Sequence, residues 1–166
     1  MDKAVELLRS KGAAKAEKRS GRQTKEGMIA NYIHHNGKIA VLVELNCETD
    51  FVARTEDFQQ LGRWVAEHVA AAAPLAIDKD QVPQDKVESE RRIFIEQVKA
   101  EGKPDHMIDK IVEGKIQAFY KEVALLHQAW VREPKKTIAD LVKEVSAKTG
   151  ENIKVKRFVR YQLGEV

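Results

Sequence analysis

The sequence predicts an α+β fold: a three-stranded antiparallel sheet flanked by helices, with a helical hairpin and a partial N-terminal helical domain. Three observations predict the sheet and its helices. Two apolar, strand-length runs, 28–35 and 38–45, flank Asn36-Gly37, the strongest short-range signal for a hairpin. A third run, 152–163, largely alternates apolar and polar residues. Between them lie four stretches whose apolar residues recur at helical spacing, as in helices with one buried face.

Composition bounds the class. The 166 residues are 43% hydrophobic and 33% charged, enough for a real core. No apolar run approaches the ~20 residues of a membrane span, and no signal-peptide pattern opens the chain. One cysteine cannot form an internal disulfide, which fits a reducing cytosol. The expectation is a cytoplasmic globular protein. Its net charge of +3 is unevenly spread. Residues 1–26 hold eight basic against four acidic side chains, residues 132–166 nine against five, and the middle twelve against seventeen. A nucleic-acid binder concentrates a larger excess on one element, so solvated helix faces are the simpler reading.

In chain order, residues 2–19 read as a helix capped by Asp2, with a short apolar stripe at Val5, Leu7 and Leu8; residues 20–26 read as a linker. The hairpin follows, with Asn36-Gly37 expected to form a type I′ turn. In its second strand Ile39, Val41, Val43 and Leu45 share one face while Ala40 and Leu42 lie on the other, so both faces call for cover. Residues 57–73 read as a helix through Phe58, Leu61, Trp64, Val65, His68 and Val69, ended by Pro74. Residues 75–83 read as a loop. A charged helix over 84–100 carries Val87, Ile93, Phe94 and Val98. Gly102-Lys103-Pro104 breaks it, and Asp105 is placed to cap a helix to about residue 122. The two make a helical hairpin in which Ile108, Ile111, Ile116 and Phe119 face the partner helix. Thr137-Ile138-Ala139-Asp140 matches a capping box with Asp for Glu, opening a helix to Lys148 that Gly150 stops. In the last strand Ile153, Val155, Val159, Tyr161 and Leu163 are assigned one face and Phe158 the other. Arg157 interrupts them; a bulge, or an interface that takes an arginine, accounts for it.

The functional signal lies at the junction Leu45-Asn46-Cys47-Glu48-Thr49-Asp50-Phe51-Val52-Ala53-Arg54. Here an apolar strand gives way to a helical pattern. Thr49 or Asp50 can cap a short helical turn, leaving Phe51 at its mouth beside the Asp50 carboxylate. Such a pair suits a probe that enters another protein better than it suits a core. A helix cap and a core aromatic are the structural alternative.

This stretch resembles the signature of bacterial elongation factor Ts, the family that exchanges the guanine nucleotide on elongation factor Tu. The resemblance continues in Tyr32-Ile33-His34-His35-Asn36-Gly37, in Gly150-Glu151-Asn152-Ile153 and in Arg157-Phe158, in order over most of the chain. It implies a guanine nucleotide exchange factor that promotes GDP release during translation elongation, with Thr49, Asp50, Phe51 and Val52 as its partner-binding residues. The motif would insert beside the magnesium site of elongation factor Tu, Phe51 as a wedge and Asp50 disturbing the metal's surroundings. The resemblance also implies two parts: 1–26, the last helix of a ubiquitin-associated-like domain plus a linker, and 27–166, a core for dimerisation and partner binding. The domain's first two helices are unmatched, so its remaining helix is expected to fray or dock elsewhere. Long relatives cover the sheet's second face with a second subdomain; short ones pair their sheets, which implies a homodimer here. The projecting coiled coil of longer relatives belongs to that other subdomain and is not carried over.

Other chemistry is weaker. His34 and His35, as neighbours on a strand, point to opposite faces and cannot easily share a metal. Cys47 with a histidine could be drawn as a nucleophile pair, but nothing else signals a hydrolase, and packing as a small apolar residue is the simpler role. No cofactor, metal ligand, active site, nucleic-acid or membrane partner is expected. The second functional reading, from the basic termini, is an RNA- or ribosome-associated protein without exchange activity. A third is a chain that folds and dimerises but exchanges poorly.

Overall fold

The computed structural model describes residues 2–165; the side chains of Asp2, Ala4, Val5, Leu8, Arg9 and Ala13 lie outside the described ones. The expected Asp2 cap and the stripe at Val5 and Leu8 fall among them. The chain divides into two compact units, Met1–Ala73 with Ala129–Val166, and Pro74–Gln128.

The first unit is built on a three-stranded antiparallel sheet, β1 (Glu26–Ile33), β2 (Ile39–Cys47) and β5 (Lys154–Gln162), with β2 in the centre. On one face Ala30, Val41, Val43, Leu45 and Cys47 are buried. Helix α3 (Glu56–Ala72) packs there on β1 and β2, contributing Phe58, Leu61, Val65, His68 and Val69, all fully buried. Gly62 permits the approach: a Cβ there would stand 2.9 Å from the Ala30 Cβ. Thr55 caps α3, accepting from the Phe58 N–H, and Ala73 ends it in the left-handed conformation.

The turn is not the expected type I′. Gly37 N–H donates to His34 O, which makes His35 and Asn36 the central residues, and of the turn only Gly37 has positive φ, 69°. The Asn36 side chain accepts from Lys38 N–H at 2.9 Å, favouring this longer loop.

In β5 the bulge is real. Glu44 pairs with Arg157 but Leu45 with Val155, so Lys156 is the extra residue. The inserted residue flips the alternation, so the expected single face splits. Val155 stays buried, while Val159 and Tyr161 turn to the opposite, exposed face with Leu163 beyond the strand end.

Helix α6 (Ile138–Thr149) opens with the capping box complete, Thr137 and Asp140 bonding reciprocally, and closes at Gly150 with φ 77°. Helix α1 (Asp2–Lys18) packs on α6, where Ala16 is buried and Arg19 donates to Ser146 O at 3.1 Å. A ribbon absent from the sequence reading, β3 (Ala129–Trp130) with β4 (Glu133–Thr137), places Trp130 against Trp64 at 5.1 Å.

The second unit is the helical hairpin, α4 (Gln84–Ala100) and α5 (Asp105–Val123). Val87, Val98, Ile108, Val112 and Ile116 are buried between them, with Phe94, Ile111 and Phe119 packed alongside. Ile93 of α4 is exposed. Asp105 does not cap α5: Pro104 is the N-cap and no side chain bonds there, leaving Asp105 in the first turn, where its charge suits the helix end. Ala76 bridges to Ala124, and His127 Nε2 meets Asp78 Oδ1 at 2.7 Å. Among the described residues no helix is long and apolar enough to cross a membrane.

Candidate functional site

The site begins where β2 ends. Cys47, the last residue of β2, is fully buried, and Asp50 opens the four-residue helix α2 (Asp50–Ala53). Thr49 caps it: its backbone is extended, and its hydroxyl accepts from the Val52 N–H at 3.4 Å. No residue of α2 is buried.

Phe51 is 78% exposed, more than any of the other exposed large apolar side chains described. Asp50 pairs with Arg54 Nη2 at 3.0 Å, one helical turn on, with both side chains largely in water. The structure therefore brings Thr49, Asp50, Phe51 and Val52 together on a single turn. The cap assigned to Thr49 or Asp50 falls to Thr49. Phe51 is no core aromatic.

The turn is tied from behind. Glu151, between α6 and β5, takes three bonds: from Glu48 N–H at 3.1 Å, from Thr49 N–H at 3.0 Å, and from the Thr49 hydroxyl at 2.7 Å. In return Glu48 Oε1 accepts the Asn152 N–H at 2.7 Å and lies 3.5 Å from Arg22 Nη1. Gly150-Glu151-Asn152 was visible in the sequence only as a motif. What it touches lies about a hundred positions away in the chain, and no local pattern reports that.

The nucleophile reading fails on geometry. Cys47 donates to Thr49 O at 3.1 Å, and burial, with the Glu151 carboxylate adding, pushes its thiol up to about 11. His34 and His35 lie at the other end of β2, roughly 25 Å away at the ~3.4 Å rise of a strand. They do not point apart as strand neighbours: they sit in the turn, and their rings approach to 4.2 Å, with Tyr32 Oη 3.0 Å from His34 Nδ1. Among the described residues no three His, Cys, Asp or Glu side chains are grouped to hold a metal ion.

A second surface lies on the sheet face opposite α3. Ile29 and Ile33 of β1, Leu42 of β2, and Val159 and Tyr161 of β5 are all exposed, with Leu163 beside them. Glu44 and Arg157 pair across its end at 2.7 Å.

The family model described as "Elongation factor TS" matches residues 14–165. An elongation factor Ts of Fervidobacterium nodosum is 54% identical over 99% of this chain and 83% of its own length. That of Thermosipho melanesiensis is 53% identical over 99% and 84%, and that of Thermotoga maritima 50% over 99% and 82%.

Proposed function

The chain belongs to the elongation factor Ts family, and from that membership we propose that it is a guanine nucleotide exchange factor releasing GDP from elongation factor Tu through its 49–52 turn. The observation that carries the reading is Phe51: a fully presented aromatic on a turn whose backbone is held from behind. It acts by binding rather than by chemistry of its own, as a translation factor of the cytoplasm.

Phe51 enters the GTPase domain of elongation factor Tu as a wedge, and Asp50 exchanges its surface partner Arg54 for the surroundings of the partner's magnesium. Magnesium bridges the nucleotide phosphates and neutralises their charge, so loosening it weakens GDP. Burying one Phe yields ~1.5–3 kcal/mol, a factor of roughly ten to a hundred. Larger acceleration needs Asp50 and a docking surface that favours the nucleotide-free partner, since equal affinity for both states shifts nothing.

The exposed sheet face supports a homodimer in which Leu42 and Tyr161 are buried against a second copy. Residues 1–26 are read as the end of a ubiquitin-associated-like domain, with 27–166 as the core. The RNA- or ribosome-associated reading receives no support: the whole chain aligns with exchange factors, and basic groups of its C-terminal part are paired, Arg157 with Glu44, Lys148 with Asp57 and Arg160 with Glu165.

The test is release of a fluorescent GDP analogue from elongation factor Tu with a tenth as much of this protein. Multiple turnovers at an accelerated rate are expected. A rate equal to spontaneous release contradicts the reading. Salt-sensitive binding to RNA in its place would revive the alternative.

A further inference from the structure

We propose that Glu151 is a positioning residue for nucleotide exchange, whose carboxylate holds the turn that presents Asp50 and Phe51. The inference rests on the role proposed for that turn, and assigns its conformation to a residue on the far side of the sequence.

Helix α2 is one turn long, and none of its residues is buried. A single helical turn is not stable alone, because nucleation costs more than its few bonds return. Packing holds only its inner side, where Val52 and Ala53 are half-buried and α2 lies against β1 and β2, while Phe51, its largest side chain, faces solvent. The C-terminal end of α2 is closed by Thr55, which bonds to the Val52 carbonyl, and the side-chain bonds that set its N-terminal entry converge on Glu151.

Glu151 Oε1 gathers the backbone N–H groups of Glu48 and Thr49, which fixes the chain direction entering α2. Glu151 Oε2 accepts the Thr49 hydroxyl. That bond orients the hydroxyl: with its proton on Glu151, its lone pairs are left for the Val52 N–H, which is the cap of α2. A charged acceptor strengthens such bonds relative to neutral ones. Glu151 is anchored in turn. Ser146 Oγ donates to its carbonyl, Gly150 turns the chain in the left-handed conformation, and the Asn152 side chain donates to Ser20 O and Arg22 O. Glu48 returns a bond to Asn152 N–H, so the two segments are clasped in both directions.

Losing the Glu151 carboxylate frees two backbone N–H groups and the cap hydroxyl together. Elongation factor Tu would still dock, but the turn would have to be ordered afresh in every encounter. The effect belongs in the saturating release rate rather than in the concentration that half-saturates it.

The experiment measures release of a fluorescent GDP analogue across a concentration series, for the intact protein, Glu151→Ala, Glu151→Gln, Phe51→Ala and the double variant Glu151→Ala/Phe51→Ala. Glu151→Ala is expected to lower the saturating rate about tenfold, the factor that one lost charge-assisted bond is worth, with half-saturation moving less than about twofold. Glu151→Gln, which keeps an acceptor for the two amides, recovers part. In the double variant the Glu151 change adds little to the Phe51 loss, because both act through one side chain. A wild-type rate for Glu151→Ala, or losses that multiply in full, overturns the proposal. If Glu151→Ala does not fold, Thr49→Val, which removes only the hydroxyl, is put through the same cycle with the same criteria. Phe51→Ala releasing GDP at the wild-type rate sinks the role of the turn itself, and Glu151's with it.

Discussion

Arg157 donates to the Glu44 carboxylate at 2.7 Å, directly across β5 and β2, at the end of the apolar sheet face and one residue from the bulge. The pair belongs to the rim of that face. The Arg157 bond, with Asn46 adding, holds the Glu44 carboxyl below its ordinary value. A lowered carboxylate stabilises the fold above its unfolded value of about 4.5 and loses that contribution as pH falls through the folded value.

Leu42 lies inside this face, paired with Val159. Leu42→Lys is expected to turn the dimer into a monomer at micromolar concentration without loss of helix content, since Leu42 is no part of the α3-covered core. Sedimentation equilibrium checks it. A wild-type monomer mass sinks the dimer outright, and a dimeric Leu42→Lys moves the interface elsewhere.

Cys47 should be inert. With the thiol raised from 9.0 to about 11, a thiol reagent at pH 8 is expected to react at the rate of unfolding and no faster. Between those two values the unfolded chain sheds its proton while the folded one keeps it, so stability falls as pH rises through the window and is complete below 9. Cys47→Ala should flatten that alkaline slope. An equally steep slope in the variant contradicts the assignment.

Gly62 and Gly114 make a paired test in helix interiors. A Cβ at Gly62 meets Ala30 Cβ at 2.9 Å, whereas nothing lies within 4 Å at Gly114. Overpacking costs about 1–3 kcal/mol and helix propensity returns about 0.5–1, so Gly62→Ala should destabilise and Gly114→Ala stabilise by about 0.5–1 kcal/mol. Urea midpoints read both. Equal shifts would mean that α3 can retreat from β1.

Much of the fold was legible because its signals are local. Apolar spacing marked α3, α4 and α5, Thr137 and Asp140 marked the start of α6, and Thr49 or Asp50 marked a cap. What escaped depends on distant partners. The flip of Val159 and Tyr161 follows from one extra residue opposite Glu44. The β3–β4 ribbon is too short to show a period, and its Trp130 is placed by Trp64. His34 and His35 were misjudged because the turn is longer than Asn36-Gly37 alone implies. The site was legible as a motif, and its support was not: Glu151 reads as an ordinary residue after a helix-ending glycine until its three donors are seen.

The central claim, that an exposed aromatic on a clasped turn drives exchange, is tested most directly by Phe51→Ala. Because Phe51 is 78% exposed, its removal should leave the melting temperature almost unchanged while the saturating rate of GDP release falls roughly ten- to a hundredfold. An unchanged release rate in a folded Phe51→Ala protein would contradict the account.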